Sequence, residues 1–124
     1  MFNKNKFHKR IGGSFDFVNL LNKTNIGLPF AKYKGEIHLP GYNFAGPGTQ
    51  LQYRLDDNDN PLPDSIPINK IDEIAYKHDI FYRDHNDLND RHNADITMIN
   101  ELKQIQNPSF KHKLIIMLII KSII

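Results

Sequence analysis

The chain contains no cysteine among its 124 residues. Disulfide bonds and thiolate metal sites are therefore excluded, and any bound cation must be held by oxygen or imidazole ligands. This absence favours folding in a reducing compartment or inside an assembled particle. The length predicts one domain, and a hydrophobic fraction of 40% suits a globular protein with a modest core.

Long hydrophobic runs are also lacking, since the longest covers only the seven residues 114–120. A membrane-spanning helix needs about 20 apolar residues. The C-terminal segment 109–124 is instead predicted to pack on the core, on lipid or on another subunit, and a homodimer through it is one expected arrangement. The amino terminus is polar and basic, so neither a signal peptide nor a transmembrane segment is predicted.

Charge is unevenly distributed, although the net charge is only +2. Residues 1–34 carry seven basic side chains and one acidic, residues 35–95 five and twelve, and residues 96–124 four and one. An acidic middle between basic flanks favours a cation-binding centre whose edges meet an anionic surface. The predicted organisation is a basic, partly flexible segment 1–34, a core 35–108 and the apolar segment 109–124.

Two segments have apolar residues at helical spacing, and each also buries an ionisable group. Residues 71–82 place His78 inside the apolar stripe with Asp79 beside it, and residues 90–106 place Asp95 on their apolar face. Because an isolated buried charge is costly, we expect two antiparallel helices in which His78 and Asp95 satisfy each other. A histidine oriented by a carboxylate is the core of a general base.

Capping residues predict the helix boundaries. Asn69 is the expected N-cap of the first helix, which should end near His85. Asp90 is the expected N-cap of the second helix, and Pro108 is expected to end it. A further short helix is predicted at residues 15–21.

Six of the seven prolines lie within residues 27–67, which show no sustained periodicity and are predicted to form a long ordered loop region. The Gly-Pro-Gly sequence at 46–48 allows a sharp fold that can aim successive carbonyl oxygens at one point. An ordinary turn has the same composition. If the loop packs against the first helix, an oxygen-lined calcium site results. Its ligands would be the carbonyls of Phe44, Gly46 and Gly48 and the carboxylate of Asp79.

Three elements occur in a diagnostic order: LPGYNFAGPGTQL, then INKIDEIAYKHDIFY, then an Ala94-Asp95 step. Together they resemble the phospholipase A2 domain of the minor capsid protein of parvoviruses and densoviruses and of related arthropod and viral proteins. The resemblance covers about residues 39–102. It implies a mainly α fold in which two antiparallel catalytic helices pack with a calcium-binding loop set against the first. It also implies Ca²⁺ as cofactor and hydrolysis of the sn-2 ester of glycerophospholipids.

The resemblance also assigns roles to residues of the shared motifs. His78 matches the catalytic histidine, Asp95 the carboxylate that orients it, and Tyr82 the tyrosine that supports Asp95. Gly46 matches a position whose amide helps to stabilise the oxyanion. The calcium positions match Phe44, Gly46, Gly48 and Asp79.

The chain departs from the family pattern in two places. Phe44 stands where tyrosine is usual, but the site should survive because the contact is made by a backbone carbonyl. The stretch 54–67 is longer and more acidic than expected, which would reshape the entrance of the groove.

Other functions remain open from the sequence. A module without turnover would bind lipid or serve as a structural part of a capsid. A metal-dependent phosphohydrolase would use His38, His78, Asp79 and Asp95 to hold a transition metal or magnesium. In a viral setting the resemblance implies virion association and action at an endosomal membrane, with a phospholipid surface rather than nucleic acid as partner.

Overall fold

The computed structural model describes residues 17–24 and 26–123. This part of the chain is helical, with no strand beyond two isolated bridges, so the prediction of a mainly α fold is confirmed. Of the basic segment 1–34, which was predicted to be partly flexible, residues 1–16 and 25 lie outside the described residues. The helices are α1 (17–23), α2 (Leu51–Arg54), α3 (Lys70–Asp84), α4 (Leu88–Lys103) and α5 (Phe110–Ile123), with a 3-10 turn at Pro63–Ser65.

Helix α3 begins where the sequence predicts. Asn69 is extended and its side-chain Oδ1 accepts the Asp72 amide at 3.0 Å, which satisfies one of the free donors of the first turn. Ile71 and Ile74 are buried in the core. The helix ends at Asp84, one residue before the expected end.

Helix α4 differs from its prediction at both ends. Asp87, not Asp90, is the N-cap and accepts the Asp90 amide at 3.2 Å. The helix ends at Lys103, well before Pro108. The predicted range 90–106 was therefore wrong, because both aspartates are good caps and the tertiary contact described next favours the earlier one.

Arg91 joins the beginning of α4 to the end of α3. Its guanidinium donates to the carbonyls of Tyr82, at 2.7 Å, and of His85. These carbonyls belong to the last turn and C-cap of α3, where acceptors lack partners within the helix. The same guanidinium lies 4.7 Å from the centre of the Tyr82 ring. Only three residues, 85–87, connect the two helices, so α3 and α4 run antiparallel.

A buried ion pair organises the long loop region 27–67. Arg54 Nε and Nη2 each donate to a carboxylate oxygen of Glu36 at 2.7 Å, and both side chains are fully buried. The Glu36 carboxylate also accepts the amides of Tyr33 and Gln50. Burial alone would raise the pKa of Glu36, but the hydrogen bonds from Arg54 and Gln50 outweigh it and the pKa lies below its ordinary value. The region is not simply a loop, because it contains α2 and the 3-10 turn.

Helix α5 packs on α4 and contributes to the same core as α1. Ile115 and Leu118 belong to the same buried cluster as Phe17, while Phe110 and Met117 remain exposed. The C-terminal apolar segment therefore packs on the core of its own chain. A homodimer through its exposed side stays a prediction. None of the described helices has the length and apolar character needed to cross a membrane.

The buried ion pair predicts a large stability cost for Arg54→Met. Glu36 would stay buried without its partner, so the free energy of unfolding should fall by about 3–5 kcal/mol. Denaturant unfolding followed by circular dichroism measures this change. The matched control is Arg83→Met, which breaks an exposed pair with Asp59 and should change the free energy of unfolding far less. Equal losses in the two variants would contradict the role given to the buried pair.

Candidate active site

His78 on α3 and Asp95 on α4 meet across the interface of the two helices. His78 Nε2 lies 2.8 Å from Asp95 Oδ1. Tyr82, one turn after His78, donates its hydroxyl to the same oxygen at 2.7 Å. The His78 and Asp95 side chains are 15% and 13% exposed, so the pair is largely desolvated yet can be reached from solvent. The contact expected between these helices is thus present in the structure.

The glycine loop is hydrogen-bonded to the segment that precedes it. The Leu39 amide donates to the Ala45 carbonyl at 3.0 Å, and the Ile37 amide donates to the Pro47 carbonyl at 2.9 Å. The carbonyls of Phe44 and Gly46 take no part in these two bonds.

Those carbonyls converge with Asp79 of α3. The hydroxyl of Thr49 lies 3.4 Å from the Phe44 carbonyl oxygen and 3.3 Å from the Gly46 carbonyl oxygen. The same hydroxyl is close enough to the Asp79 carboxyl to lower the pKa of that group. We name this group of oxygens, from Phe44, Gly46 and Asp79, the oxygen cradle.

Glycine is required at two positions of the loop. Gly46 has φ +141°, and a Cβ built there would lie 2.3 Å from the Ile37 carbonyl oxygen. Gly48 has φ +76°, and its Cβ would lie 2.2 Å from the Gly35 carbonyl oxygen. A side chain at either position would both strain the backbone and separate the two paired segments.

Asp72 fastens the loop to α3. Its Oδ1 accepts the amides of Phe44 at 2.8 Å and Ala45 at 3.0 Å, and its Oδ2 accepts those of Asn43 at 3.0 Å and Ile68 at 3.1 Å. The side chain is fully buried. This function of Asp72 was not predicted from the sequence. The available signal was its position seven residues before Asp79, which puts both carboxylates on one face of the helix.

The Asp79 carboxyl fits a cation. Its Oδ2 is buried without a hydrogen-bond partner in the structure. Burial raises the pKa of Asp79 well above its ordinary value, and the neighbouring carboxylates of Asp72 and Glu36 raise it further. A cation at the cradle would offset that cost because it favours the ionised carboxylate. Calcium suits this donor set, since it accepts backbone carbonyls and carboxylates in a flexible geometry.

The ligand set of a metal-dependent phosphohydrolase is not assembled. Among residues 17–24 and 26–123, no three histidine, aspartate or glutamate side chains group closely enough to hold a metal ion. His38 is fully buried and contacts Thr49, with Nε2 and Oγ1 2.8 Å apart. His78 instead contacts Asp95. The geometry therefore does not support that alternative.

The His78–Asp95 pair and the cradle open into one cavity of about 870 Å³. Its lining is polar around His78, Asp79 and Asp95 and along the stretch 56–59. Another part of the lining is apolar, which suits a ligand with a polar head and a hydrocarbon chain. The apolar lining includes Phe17, Leu51, Leu55, Met98, Ile119 and Ile123.

The acidic stretch after α2 forms an ordered turn at the rim of this cavity. An antiparallel bridge joins Leu55 and Pro61 at its base. The Asp59 carboxylate receives two hydrogen bonds of 2.8 Å from the guanidinium of Arg83 on α3. The Asp59 carbonyl also accepts the Tyr76 hydroxyl. The longer, more acidic stretch 54–67 thus adds an acidic wall to the cavity. Hydrogen bonds attach this wall to α3, the helix that carries His78 and Asp79.

Comparison with protein-family models matches residues 35–121 to the Phospholipase A2-like domain. The chain therefore belongs to the Phospholipase A2-like domain family, and the family inferred from the sequence motifs is confirmed. Neither curated proteins nor solved structures give a match. The division of the chain at residues 34 and 108 and the roles of single residues stay predictions.

The anchoring of the loop predicts the effect of Asp72→Asn. An amide group would place a donor against backbone donors and leave buried N–H groups unpaired, at about 1–3 kcal/mol each. We expect a lower free energy of unfolding and faster hydrogen exchange at the amides of Phe44 and Ala45. Asp57→Asn is the control, because Asp57 is exposed and its change should stay within about 0.5 kcal/mol. Unchanged exchange at the loop amides would contradict the anchoring role.

Proposed function

We propose that this chain is a calcium-dependent phospholipase A2 that hydrolyses the sn-2 ester of glycerophospholipids. Family membership supports the class of enzyme. The observation that carries the proposal is the 2.8 Å contact of His78 with Asp95, which opens into the same cavity as the oxygen cradle. A general base and a cation site therefore face one substrate-sized space.

His78 acts as the general base. Because Asp95 engages Nε2, the other ring nitrogen, Nδ1, takes the proton from the water that attacks the ester carbonyl. Asp95 fixes the tautomer and stabilises the imidazolium that forms. Tyr82 donates to the same carboxylate oxygen and so holds Asp95 in place while the imidazole changes charge.

The cradle supplies the second part of the chemistry. The carbonyls of Phe44, Gly46 and Gly48 and the carboxylate of Asp79 would hold calcium. The chemistry that calcium supplies when bound is polarisation of the ester carbonyl and stabilisation of the oxyanion. The Gly46 amide is the proposed second donor to that oxyanion.

The proposed setting is a phospholipid membrane surface. Apolar cavity walls from α1, α4 and α5 support an acyl chain as the part of the substrate that enters deepest. The resemblance of the motifs to parvovirus and densovirus capsid domains supports a virion-associated protein that breaches an endosomal membrane. Leakage of dye-loaded vesicles that depends on both calcium and His78 tests this role.

Hydrolysis of a labelled phospholipid in vesicles, with calcium and with chelator, tests the activity. His78→Asn should reduce turnover by about 10²–10⁴-fold, because the variant removes the general base. It should leave calcium affinity, measured by calorimetry, unchanged. Asp79→Asn should weaken both turnover and calcium affinity.

The matched control for the general base is His92→Asn. His92 is an exposed histidine that lines the same cavity but does not contact Asp95, so its variant should keep turnover. Full activity in His78→Asn would contradict the mechanism. Calcium-dependent vesicle binding without hydrolysis by the unaltered chain would instead identify a lipid-binding module without turnover.

A further inference from the structure

The Thr49 hydroxyl occupies an unusual position at the oxygen cradle. Its Oγ1 lies 3.3 Å from the Gly46 carbonyl oxygen, 3.4 Å from the Phe44 carbonyl oxygen and 2.8 Å from His38 Nε2. It also lies close enough to the Asp79 carboxyl to lower the pKa of that group. One hydroxyl thus has four polar neighbours from three separate parts of the chain.

This hydroxyl cannot satisfy the groups that surround it. A threonine hydroxyl carries one hydrogen, whereas the two carbonyls and an ionised carboxylate are acceptors only. The contacts with the carbonyls are long for an O–H···O hydrogen bond, whose usual length is about 2.7–2.8 Å. In addition, Asp79 Oδ2 is buried and has no hydrogen-bond partner among the described residues. The oxygen cradle therefore has more hydrogen-bond acceptors than donors. A hard cation requires such an environment of oxygen atoms.

His38 determines how the hydroxyl is oriented. The imidazole is fully buried, and its Nε2 lies 2.8 Å from Thr49 Oγ1, closer than either carbonyl oxygen. When Nε2 accepts the hydroxyl hydrogen, the lone pairs of Oγ1 are left to face the cradle. That tautomer carries its ring proton on Nδ1, which lies 4.0 Å from Oε1 of Glu36. Glu36 is in turn fixed by Arg54.

We propose that Thr49 Oγ1 is a further calcium ligand and that His38 is the residue that positions it. The inference rests on the calcium site of the proposed function. Calcium takes about 6–8 oxygens. Three loop carbonyls and both oxygens of Asp79 supply fewer than that number, and Thr49 adds an oxygen from the protein itself.

Calcium affinity tests whether the site depends on the Thr49 oxygen. Thr49→Val keeps the shape of the side chain but removes its oxygen, and should weaken calcium binding by about 10- to 100-fold. Thr49→Ser keeps the oxygen and should restore affinity. Isothermal calorimetry measures the constants, and melting in chelator shows whether each variant is folded without calcium. Thr97→Val, an exposed position on α4 outside the cavity, is the control and should bind calcium as the unaltered chain does.

A change of metal preference gives a second, independent test. Thr49→Cys replaces the hard hydroxyl by a soft sulfur in a chain that has no other cysteine. A ligand at this position should lose calcium affinity and gain cadmium affinity, because soft metals prefer sulfur. Thr97→Cys carries a thiol away from the cradle and reports cadmium binding to an isolated cysteine. If Thr49 only stabilised the loop, Thr49→Cys would not change the preference of the site from calcium to cadmium.

Two results would overturn the inference. One is an unchanged calcium constant in Thr49→Val, and the other is an equal cadmium constant in Thr49→Cys and Thr97→Cys. Both measurements are independent of turnover. A chain that binds calcium through Thr49 but leaves phospholipid intact would contradict the proposed function and support this inference. A chain that hydrolyses phospholipid with calcium while Thr49→Val binds calcium normally would contradict this inference alone.

Discussion

The Asp72 carboxylate is the contact on which the arrangement of the site depends. It accepts four backbone amides, three from the glycine loop and one from the residue before the N-cap of α3. Asp72 and Asp79 lie two turns apart on one face of a rigid helix. Fastening the loop at Asp72 therefore determines where the Phe44 and Gly46 carbonyls stand relative to Asp79. The same helix carries His78, so the position of His78 relative to the oxygen cradle is fixed as well.

A chain without disulfides needs other contacts to keep the residues of the site in position. In this chain, buried polar contacts have that role. Glu36 and Arg54 join distant parts of the long loop region, and Arg91 joins the two catalytic helices. Buried polar contacts of this kind add little net stability compared with apolar packing, but each admits few alternative geometries. The apolar core, to which α1 and α5 contribute, supplies the stability, while the polar contacts set the positions of the site residues.

The parts of the fold that were predictable rest on local signals. Apolar spacing and the Asn69 cap indicated α3, and the inward-facing His78 and Asp95 indicated that α3 and α4 pair, because two buried ionisable groups need each other. The start of α4 was mispredicted because Asp87 and Asp90 are equally good caps by sequence. The contact of Arg91 with the end of α3 favours the earlier one.

The family could be inferred from the sequence alone because it follows from the order of the motifs. The helical class and the side chains of α3 and α4 that face each other could also be inferred, because they follow from spacing along a single helix. The tertiary structure alone decided that Asp72 anchors the glycine loop, that Glu36 pairs with Arg54, and that the Thr49 hydroxyl stands at the oxygen cradle. Each of these contacts joins segments separated by many residues. The sequence pattern of one segment does not predict such a contact, because the contact forms only when folding brings the two segments together.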